Sequence, residues 1–207
     1  MAYQTVWTFS GLPENMIDII EEDLTNNFDS DFTESKLYNN SVNKDIRNSH
    51  NTWIPSAHWV GGFLWHYIMK ANRENFLYDI VQYDNESLQY TRYESGEYYN
   101  WHPDSGLSEL HKPITIGNHE TENKVNDFLN VNTQYTRKLS CVLQLSNPED
   151  YDGGQLQLMD DTGKTYFAPK QRGTIIVFDS RAQHRVLKVT KGQRKSIVSW
   201  IVGPRWK

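Results

Sequence analysis

Hydrophobic residues recur every three or four positions in two segments near the start of the chain. The first segment runs from Pro13 to Phe28, and the second runs from Trp59 to Ala71. This spacing places the apolar side chains along one face of an α-helix. Pro13 also suits the first turn of a helix, where its missing N–H group costs nothing. The pattern therefore predicts two amphipathic helices.

After the second helix, the pattern changes to short β-branched and aromatic runs separated by Gly, Asn and Asp. Such runs between turn residues are typical of β-strands. They predict strands at Phe76–Tyr83, Leu88–Tyr93, Arg137–Leu145, Gln155–Met159, Thr165–Phe167, Thr174–Phe178, Arg185–Val189 and Ser196–Val202. Two helices followed by about eight strands indicate an α+β fold, in which N-terminal helices buttress a sandwich or jelly roll.

The length of 207 residues suits one domain with a substantial core. We predict a single domain over residues 1–207, with a helical support at 1–75 and a strand-rich core at 76–204. Between Ser105 and Thr136 the hydrophobic pattern disappears and polar residues dominate. Long irregular insertions are uncommon in compact domains unless they serve a function, so we interpret 105–136 as a lid.

The composition excludes several classes of partner. The net charge of −5, without a basic run, does not favour binding to nucleic acid. The sequence has no long apolar stretch and no basic-then-apolar leader, so we expect no membrane span, no secretory signal and a cytoplasmic location. The single cysteine, Cys141, lies in a strand-like run and is interpreted as a small buried hydrophobic residue. Nothing in the pattern predicts an oligomeric state.

Three residues form the most informative chemical pattern. His102 and Asp104 are separated by one residue, so in an extended segment their side chains point to the same side. His184 would complete a set of two imidazoles and one carboxylate if its strand lies opposite. Such a set binds a metal by one face and leaves other positions open, as in non-haem Fe(II) oxygenases.

Zinc is the main alternative metal, because zinc hydrolases use the same ligand types. Arg194, ten residues after His184, favours iron. A fixed guanidinium suits a dicarboxylate co-substrate, whereas a hydrolytic zinc site does not need one. The remaining histidines are interpreted as ordinary surface or core residues: His50, His58, His66, His111 and His119.

Residues 93–104 carry a longer motif, Tyr-Glu-Ser-Gly-Glu-Tyr-Tyr-Asn-Trp-His-Pro-Asp. It resembles the Tyr-x-x-Gly-x-x-Tyr-x-x-His-x-Asp pattern of the 2-oxoglutarate- and Fe(II)-dependent dioxygenases, specifically the prolyl 4-hydroxylase-like branch that includes the PKHD-type hydroxylases. The resemblance extends over residues 76–204 and continues through Arg137–Ser140, Leu145, Gly153, Gly154, Pro169, Gly173, Phe178, His184, Val186, Val189, Gly192, Arg194, Ser196 and Trp200.

The resemblance implies a double-stranded β-helix, a jelly roll whose mouth holds Fe(II) between His102, Asp104 and His184. It also implies a 2-oxoglutarate pocket that contains Arg194, Ser196, Tyr93, Tyr99 and Gln144. In this interpretation Arg194 and Ser196 bind the distal carboxylate of the co-substrate. Gln144 stands where prolyl hydroxylases commonly have a tyrosine, and its amide can donate the same hydrogen bond.

The activity implied by the resemblance is hydroxylation coupled to the conversion of 2-oxoglutarate and dioxygen to succinate and CO2, with ascorbate as an auxiliary reductant. The first expected substrate is a peptidyl residue such as proline. A free amino acid or another small metabolite is the alternative. A metal-binding jelly-roll module without turnover is the third possibility, and Arg194 and Ser196 disfavour it because such a module has no use for a co-substrate pocket.

Overall fold

The computed structural model describes residues 5–36, 43–105 and 135–206 of the chain. The two α-helices within these ranges are α1 (Glu14–Phe28) and α2 (Trp59–Ala71). The strands within them are β1 (Val6–Phe9), β2 (Thr33–Glu34), β3 (Arg47–Asn48), β4 (His50–Pro55), β5 (Gln82–Tyr83), β6 (Ser87–Tyr93), β7 (Tyr98–His102), β8 (Tyr135–Gln144), β9 (Tyr151–Gly153), β10 (Leu156–Met159), β11 (Thr165–Phe167), β12 (Ile175–Asp179), β13 (His184–Val186), β14 (Val189–Gly192) and β15 (Arg194–Pro204).

The described strands form two main antiparallel sheets. The large sheet has the order β1-β12-β8-β15-β6-β4-β2, and β5 pairs with the later part of β15. The small sheet has the order β11-β10-β13-β7-β3, and β9 pairs with β14 in a separate ribbon. Apart from the hairpin of β10 and β11, most neighbouring strands are distant in sequence, as expected for a jelly roll. The α+β jelly-roll prediction is therefore confirmed.

The large sheet is buried on both faces. Along β12, Ile175 and Val177 pack towards the helices, while Ile176 and Phe178 pack towards the small sheet. This alternation follows from the two-residue period of a strand. Burying an apolar side chain of this size contributes about 1.5–3 kcal/mol. The face towards the small sheet also contains the functional residues described below.

The two helices buttress the large sheet as predicted. Pro13 is the N-cap of α1, and Ile17, Ile20 and Leu24 of that helix are buried in the core that α2 shares. The description of residues 1–75 as a helical support is incomplete, because this part of the chain also contains β1 to β4, which join both sheets. Buried polar residues in β4, such as Asn51 and Thr52, hide its strand pattern in the sequence.

Six of the eight predicted strands lie within two residues of an observed one: 88–93, 137–145, 155–159, 165–167, 174–178 and 196–202. The predicted strand Arg185–Val189 is divided between β13 and β14.

The predicted strand Phe76–Tyr83 is wrong except for its last two residues, which form β5. Asn72–Phe76 forms a π-helical turn, and Leu77 adopts a left-handed conformation with φ of 56°. The Asn72 side chain donates a hydrogen bond to the Tyr78 carbonyl and accepts one from the Tyr78 N–H. These bonds fix a turn that hydrophobicity alone does not signal.

The predicted lid lies outside the described residues, apart from its two ends. At these ends, the hydroxyl oxygens of Ser105 and Thr136 are 3.0 Å apart and hydrogen-bonded. The lid and the single-domain organisation stay predictions. Neither α1 nor α2, nor any other helix in the described ranges, is long and apolar enough to cross a membrane.

Candidate metal centre and co-substrate pocket

The small sheet brings His102, Asp104 and His184 together. His102 ends β7 and His184 begins β13, and the two residues face each other in the antiparallel pair. The potential ligand atoms of the three side chains all lie within 4.8 Å of one another. The Nε2 atom of His184 is 3.3 Å from Asp104 Oδ2, and that of His102 is 3.7 Å from Asp104 Oδ1. The three residues thus converge as the sequence predicted.

Backbone carbonyls orient both imidazoles. His102 Nδ1 is 2.7 Å from the Asn100 carbonyl oxygen, and His184 Nδ1 is 3.0 Å from that of Ala182. A carbonyl oxygen can only accept a hydrogen bond, so each Nδ1 carries the hydrogen and donates. In the neutral form, each imidazole therefore carries its lone pair on Nε2, which is the arrangement that metal-binding histidines require.

Asp104 is held by β8 and by the turn after β12. Its carboxylate Oδ2 accepts a hydrogen bond of 2.7 Å from Ser140 Oγ, and its backbone N–H donates to the Ser180 carbonyl. The Ser140 hydroxyl hydrogen is used by Asp104, so the Ser180 hydroxyl, 3.0 Å away, donates to Ser140. Within the described ranges Oδ1 of Asp104 accepts no hydrogen bond, so it can bind a cation.

The buried site shifts the pKa values of its members. Burial and the neighbouring His184 together lower the pKa of His102 to about 3. Burial opposes ionisation of Asp104, but His184, His102 and Arg137 together outweigh it and hold the Asp104 pKa well below its usual range. Burial likewise opposes protonation of His184, yet Asp104 raises the His184 pKa. At neutral pH, His102 is therefore neutral and Asp104 ionised, as metal ligands must be.

We expect Ser140→Ala to weaken Fe(II) binding about 10- to 100-fold, because loss of a hydrogen bond to a metal ligand typically has an effect of this size. Titration with Fe(II) under anaerobic conditions measures the change. Ser95→Ala is the matched control, since the Ser95 hydroxyl donates to the Thr190 carbonyl and is exposed. Equal affinities in Ser140→Ala and the unaltered protein would show that Ser140 does not support the metal site.

The large sheet supplies a second cluster directly opposite the three ligands. Arg194 is only 2% exposed, and its Nη2 donates a hydrogen bond of 2.8 Å to Gln144 Oε1. Among the described residues, no carboxylate pairs with Arg194, and its Nε atom has no hydrogen-bond partner. The buried Ser196 Oγ also lacks one within the same ranges. These unused donors fit a carboxylate that enters the pocket.

Strand register brings the predicted pocket residues together. Ser196 pairs with Gln144 on one side of β15, and Arg194 pairs with Tyr93 on the other. The Arg194 guanidinium carbon is 5.6 Å from the centre of the Tyr93 ring. Tyr151, which sequence reasoning missed, lies near Arg194, and burial raises the Tyr151 pKa despite the opposing effect of that arginine. The phenol therefore stays protonated at neutral pH.

Tyr99 lies against the metal centre rather than against Arg194. Its ring stacks on His102 with 3.5 Å between ring centres and an angle of 16° between the planes. Burial raises the pKa of Tyr99 to about 12. Tyr99 therefore fixes the orientation of His102 and stays uncharged. A direct contact of Tyr99 with the co-substrate stays a prediction.

A groove with a volume of about 600 Å³ opens next to Asp104 and Tyr99. Arg47, Gln89 and Trp200 line both this groove and the narrower pocket that leads inward to Arg194. The walls of the inner pocket are apolar at Val142, Leu156, Phe178 and Val186. A molecule in the groove would thus lie next to Asp104, and the inner pocket that contains His102 and His184 adjoins it.

Comparison with known proteins identifies the family. A model of the 2OG-Fe(II) oxygenase superfamily matches residues 88–202, which include all three candidate ligands and Arg194. The chain belongs to the 2OG-Fe(II) oxygenase superfamily. The cofactors of this superfamily are Fe(II), 2-oxoglutarate and dioxygen, and the geometry of the two clusters fits the metal and the co-substrate. Family membership decides against the zinc alternative, whereas ascorbate stays a prediction.

Relatives within the superfamily are PKHD-type hydroxylases. The chain is 29% identical to one from Janthinobacterium sp. (strain Marseille) over 153 residues, which is 73% of this chain and 59% of the relative. A second, from Herminiimonas arsenicoxydans, is also 29% identical over 153 residues, or 73% of this chain and 60% of the relative. The chain thus spans about 60% of the length of these curated relatives.

Solved structures share the fold at low sequence identity. A prolyl hydroxylase from Trichoplax adhaerens, in complex with a hypoxia inducible factor peptide fragment, has a TM-score of 0.71 and 17% identity. The comparison covers 95% of this chain and 83% of that one. A Pseudomonas putida prolyl-4-hydroxylase has a TM-score of 0.65 and 16% identity, with 98% and 94% of the two chains covered. The oxygenase jelly roll is therefore the fold of this chain.

Proposed function

We propose that the chain is an Fe(II)- and 2-oxoglutarate-dependent hydroxylase that acts on a peptidyl residue such as proline. The observation that carries this proposal is the position of the buried Arg194 opposite His102, Asp104 and His184. One cluster suits a metal and the other suits the distal carboxylate of a dicarboxylate. A binding module without turnover would have no need of both.

Each cluster has a separate task in this mechanism. His102, Asp104 and His184 would hold Fe(II) by one face, and Arg194 with Ser196 would hold the far end of 2-oxoglutarate. When bound, the metal and co-substrate supply the oxidising chemistry that inserts oxygen into a C–H bond. The protein orients the reactants, and the apolar side chains of Val142 and Leu156 keep water out of the inner pocket.

The groove and the relatives support a peptide as the substrate. The groove has a volume of about 600 Å³, which lies within the range of ligand sites. Trp53 and Trp200, with ring centres 6.3 Å apart, contribute an aromatic wall that suits an apolar ring such as that of proline. The Trichoplax adhaerens enzyme is a prolyl hydroxylase in complex with a peptide fragment. A free amino acid or small metabolite is the alternative substrate.

We expect the purified protein to form succinate from 2-oxoglutarate in the presence of Fe(II) and dioxygen. The reaction should be slow without a substrate and faster with one, because the substrate completes the site. Succinate is measured by chromatography, and hydroxylation is detected by mass spectrometry as the gain of one oxygen atom. Proline-containing peptides are compared with free amino acids.

Stimulation by peptides supports the peptidyl assignment, and stimulation by free amino acids alone supports the alternative. Replacement of Fe(II) by Zn(II) is the control and should give no succinate, since zinc has no redox chemistry. If Fe(II) and 2-oxoglutarate are both shown to bind and no succinate forms, the chain is a binding module and not an enzyme.

A further inference from the structure

Arg47 is a buried cation that has no counter-charge among the residues the structure describes. The residue is 7% exposed, and no carboxylate forms a salt bridge with it within the described ranges. Its Nε donates a hydrogen bond of 3.0 Å to Ser49 Oγ, and its Nη2 donates one of 2.7 Å to Gln89 Oε1. Both acceptors are neutral. They fix the guanidinium in place but do not balance its charge.

This environment differs from that of the other arginines in the described part of the chain. Those that form salt bridges with Asp or Glu are Arg92, Arg137, Arg172 and Arg181. Arg185 has no such partner but is only half-buried, Arg73 and Arg205 are exposed, and Arg194 faces the co-substrate pocket. A buried charge is costly unless it is paired, so an unpaired and fixed arginine indicates a ligand.

The position of Arg47 points to the substrate as that ligand. Arg47 pairs with Tyr99 across β3 and β7, and its guanidinium carbon is 4.9 Å from the centre of the Tyr99 ring. Tyr99 in turn stacks on His102. Arg47 also lines the groove where it meets the inner pocket. The Tyr99 ring therefore lies between the Arg47 guanidinium and the candidate metal ligand His102.

The hydrogen bonds of Arg47 leave one edge of its guanidinium for this group. Nε and one hydrogen of Nη2 are used by Ser49 and Gln89, while Nη1 has no hydrogen-bond partner among the residues that the structure describes. The Nη1 and Nη2 hydrogens along the free edge form a planar fork, which matches the two oxygens of a carboxylate. Gln89 is itself held by the Thr91 hydroxyl, so the fork is rigid.

We propose that Arg47 binds a carboxylate group of the substrate and so selects substrates with a negative charge next to the hydroxylated residue. This inference rests on the proposed function, because it requires the substrate to enter the groove beside the metal. The carboxylate has two sources. It is either a main-chain carboxylate, as in a free amino acid or a C-terminal residue, or an acidic side chain within a peptide.

Binding of two matched probe pairs tests the proposal without turnover. N-acetyl-L-proline is compared with N-acetyl-L-prolinamide, and N-acetyl-Asp-Pro-amide with N-acetyl-Asn-Pro-amide. Isothermal titration calorimetry is performed on protein saturated with Mn(II) and 2-oxoglutarate, so that Arg194 is already occupied. The first pair reports a main-chain carboxylate, and the second reports an acidic side chain.

We expect the unaltered protein to bind the carboxylate member of one pair more tightly, and Arg47→Met to reduce this preference by about 30-fold or more. Arg185→Met is the control, because it removes the same charge from β13 outside the groove and should keep the preference. Arg47→Lys keeps the charge but loses the fork, so it should keep only part of the preference. If Arg47→Met does not fold, Arg47→Lys replaces it as the test.

Equal binding of both members of each pair by the unaltered protein, including no binding at all, would overturn the proposal. So would a preference that survives in Arg47→Met. If that variant loses affinity for 2-oxoglutarate while its probe preference persists, Arg47 belongs to the co-substrate pocket instead. Succinate formation is measured separately, so a failure of the hydroxylase assignment is distinguished from a failure of the carboxylate assignment.

Discussion

Replacement of His184 with alanine is expected to abolish Fe(II) binding and succinate formation together. His184 would supply one of three protein ligands, and its Nε2 is 3.3 Å from Asp104 Oδ2. Loss of a residue that merely supports a ligand lowers metal affinity about 10- to 100-fold, so loss of the ligand itself should exceed 100-fold. Anaerobic Fe(II) titration and iron content after desalting measure the effect.

His66→Ala is the matched control, because His66 is exposed on α2 and lies on the far side of the large sheet from the ligands. The His184 ring also packs against Phe178, with 4.8 Å between the ring centres. Thermal unfolding of both variants therefore separates a loss of packing from a loss of metal. Full iron occupancy together with normal succinate formation in His184→Ala would contradict the assignment of the ligand.

Helices and strands whose hydrophobic residues recur with one regular period could be predicted from the sequence. The apolar stripes of α1 and α2 and the β-branched runs of the large sheet gave these elements to within a few residues. The N-terminal strands could not be predicted in the same way. β4 buries Asn51 and Thr52, and β3 has only two residues, so neither shows an apolar alternation. Their strand geometry depends on neighbours that are distant in sequence.

The same distinction applies to the site. Spacing placed His102 and Asp104 on one side of a strand, and the family motif linked them to His184 and Arg194. The hydrogen bond from Ser140 to Asp104 depends on the register of β8. The lack of a carboxylate next to Arg47 among the described residues depends on how distant segments pack around β3. Neither property is a feature of a local sequence pattern, so both required the structure.

The candidate metal ligands and the co-substrate pocket lie on different sheets. The candidate metal ligands are attached to β7 and β13 of the small sheet, or follow directly from β7. The residues of the co-substrate pocket come from β6, β8 and β15 of the large sheet. Correct packing of the two sheets is therefore what sets the distance between metal and carboxylate anchor. Substitutions in the shared core, such as at Phe178, should affect binding of both.

Arg194→Met is expected to weaken 2-oxoglutarate binding by about 30-fold to several thousand-fold. Truncation of one partner of a buried, hydrogen-bonded charge pair costs about 2–5 kcal/mol, which corresponds to this range of affinity. Arg194 is 2% exposed, so water cannot replace its guanidinium. The variant also leaves Gln144 Oε1 without the donor that now holds it. Calorimetric titration of the Mn(II)-loaded protein with 2-oxoglutarate measures the loss.

The metal itself should remain bound in Arg194→Met, because the three candidate ligands lie on the other sheet and make no hydrogen bond to Arg194 within the described ranges. This separates the effect from that of His184→Ala, which should lose both. Arg185→Met serves as the control for charge, and Arg194→Lys tests whether the planar fork or the charge alone is needed. An unchanged 2-oxoglutarate titration in Arg194→Met would mean that another residue holds the distal carboxylate.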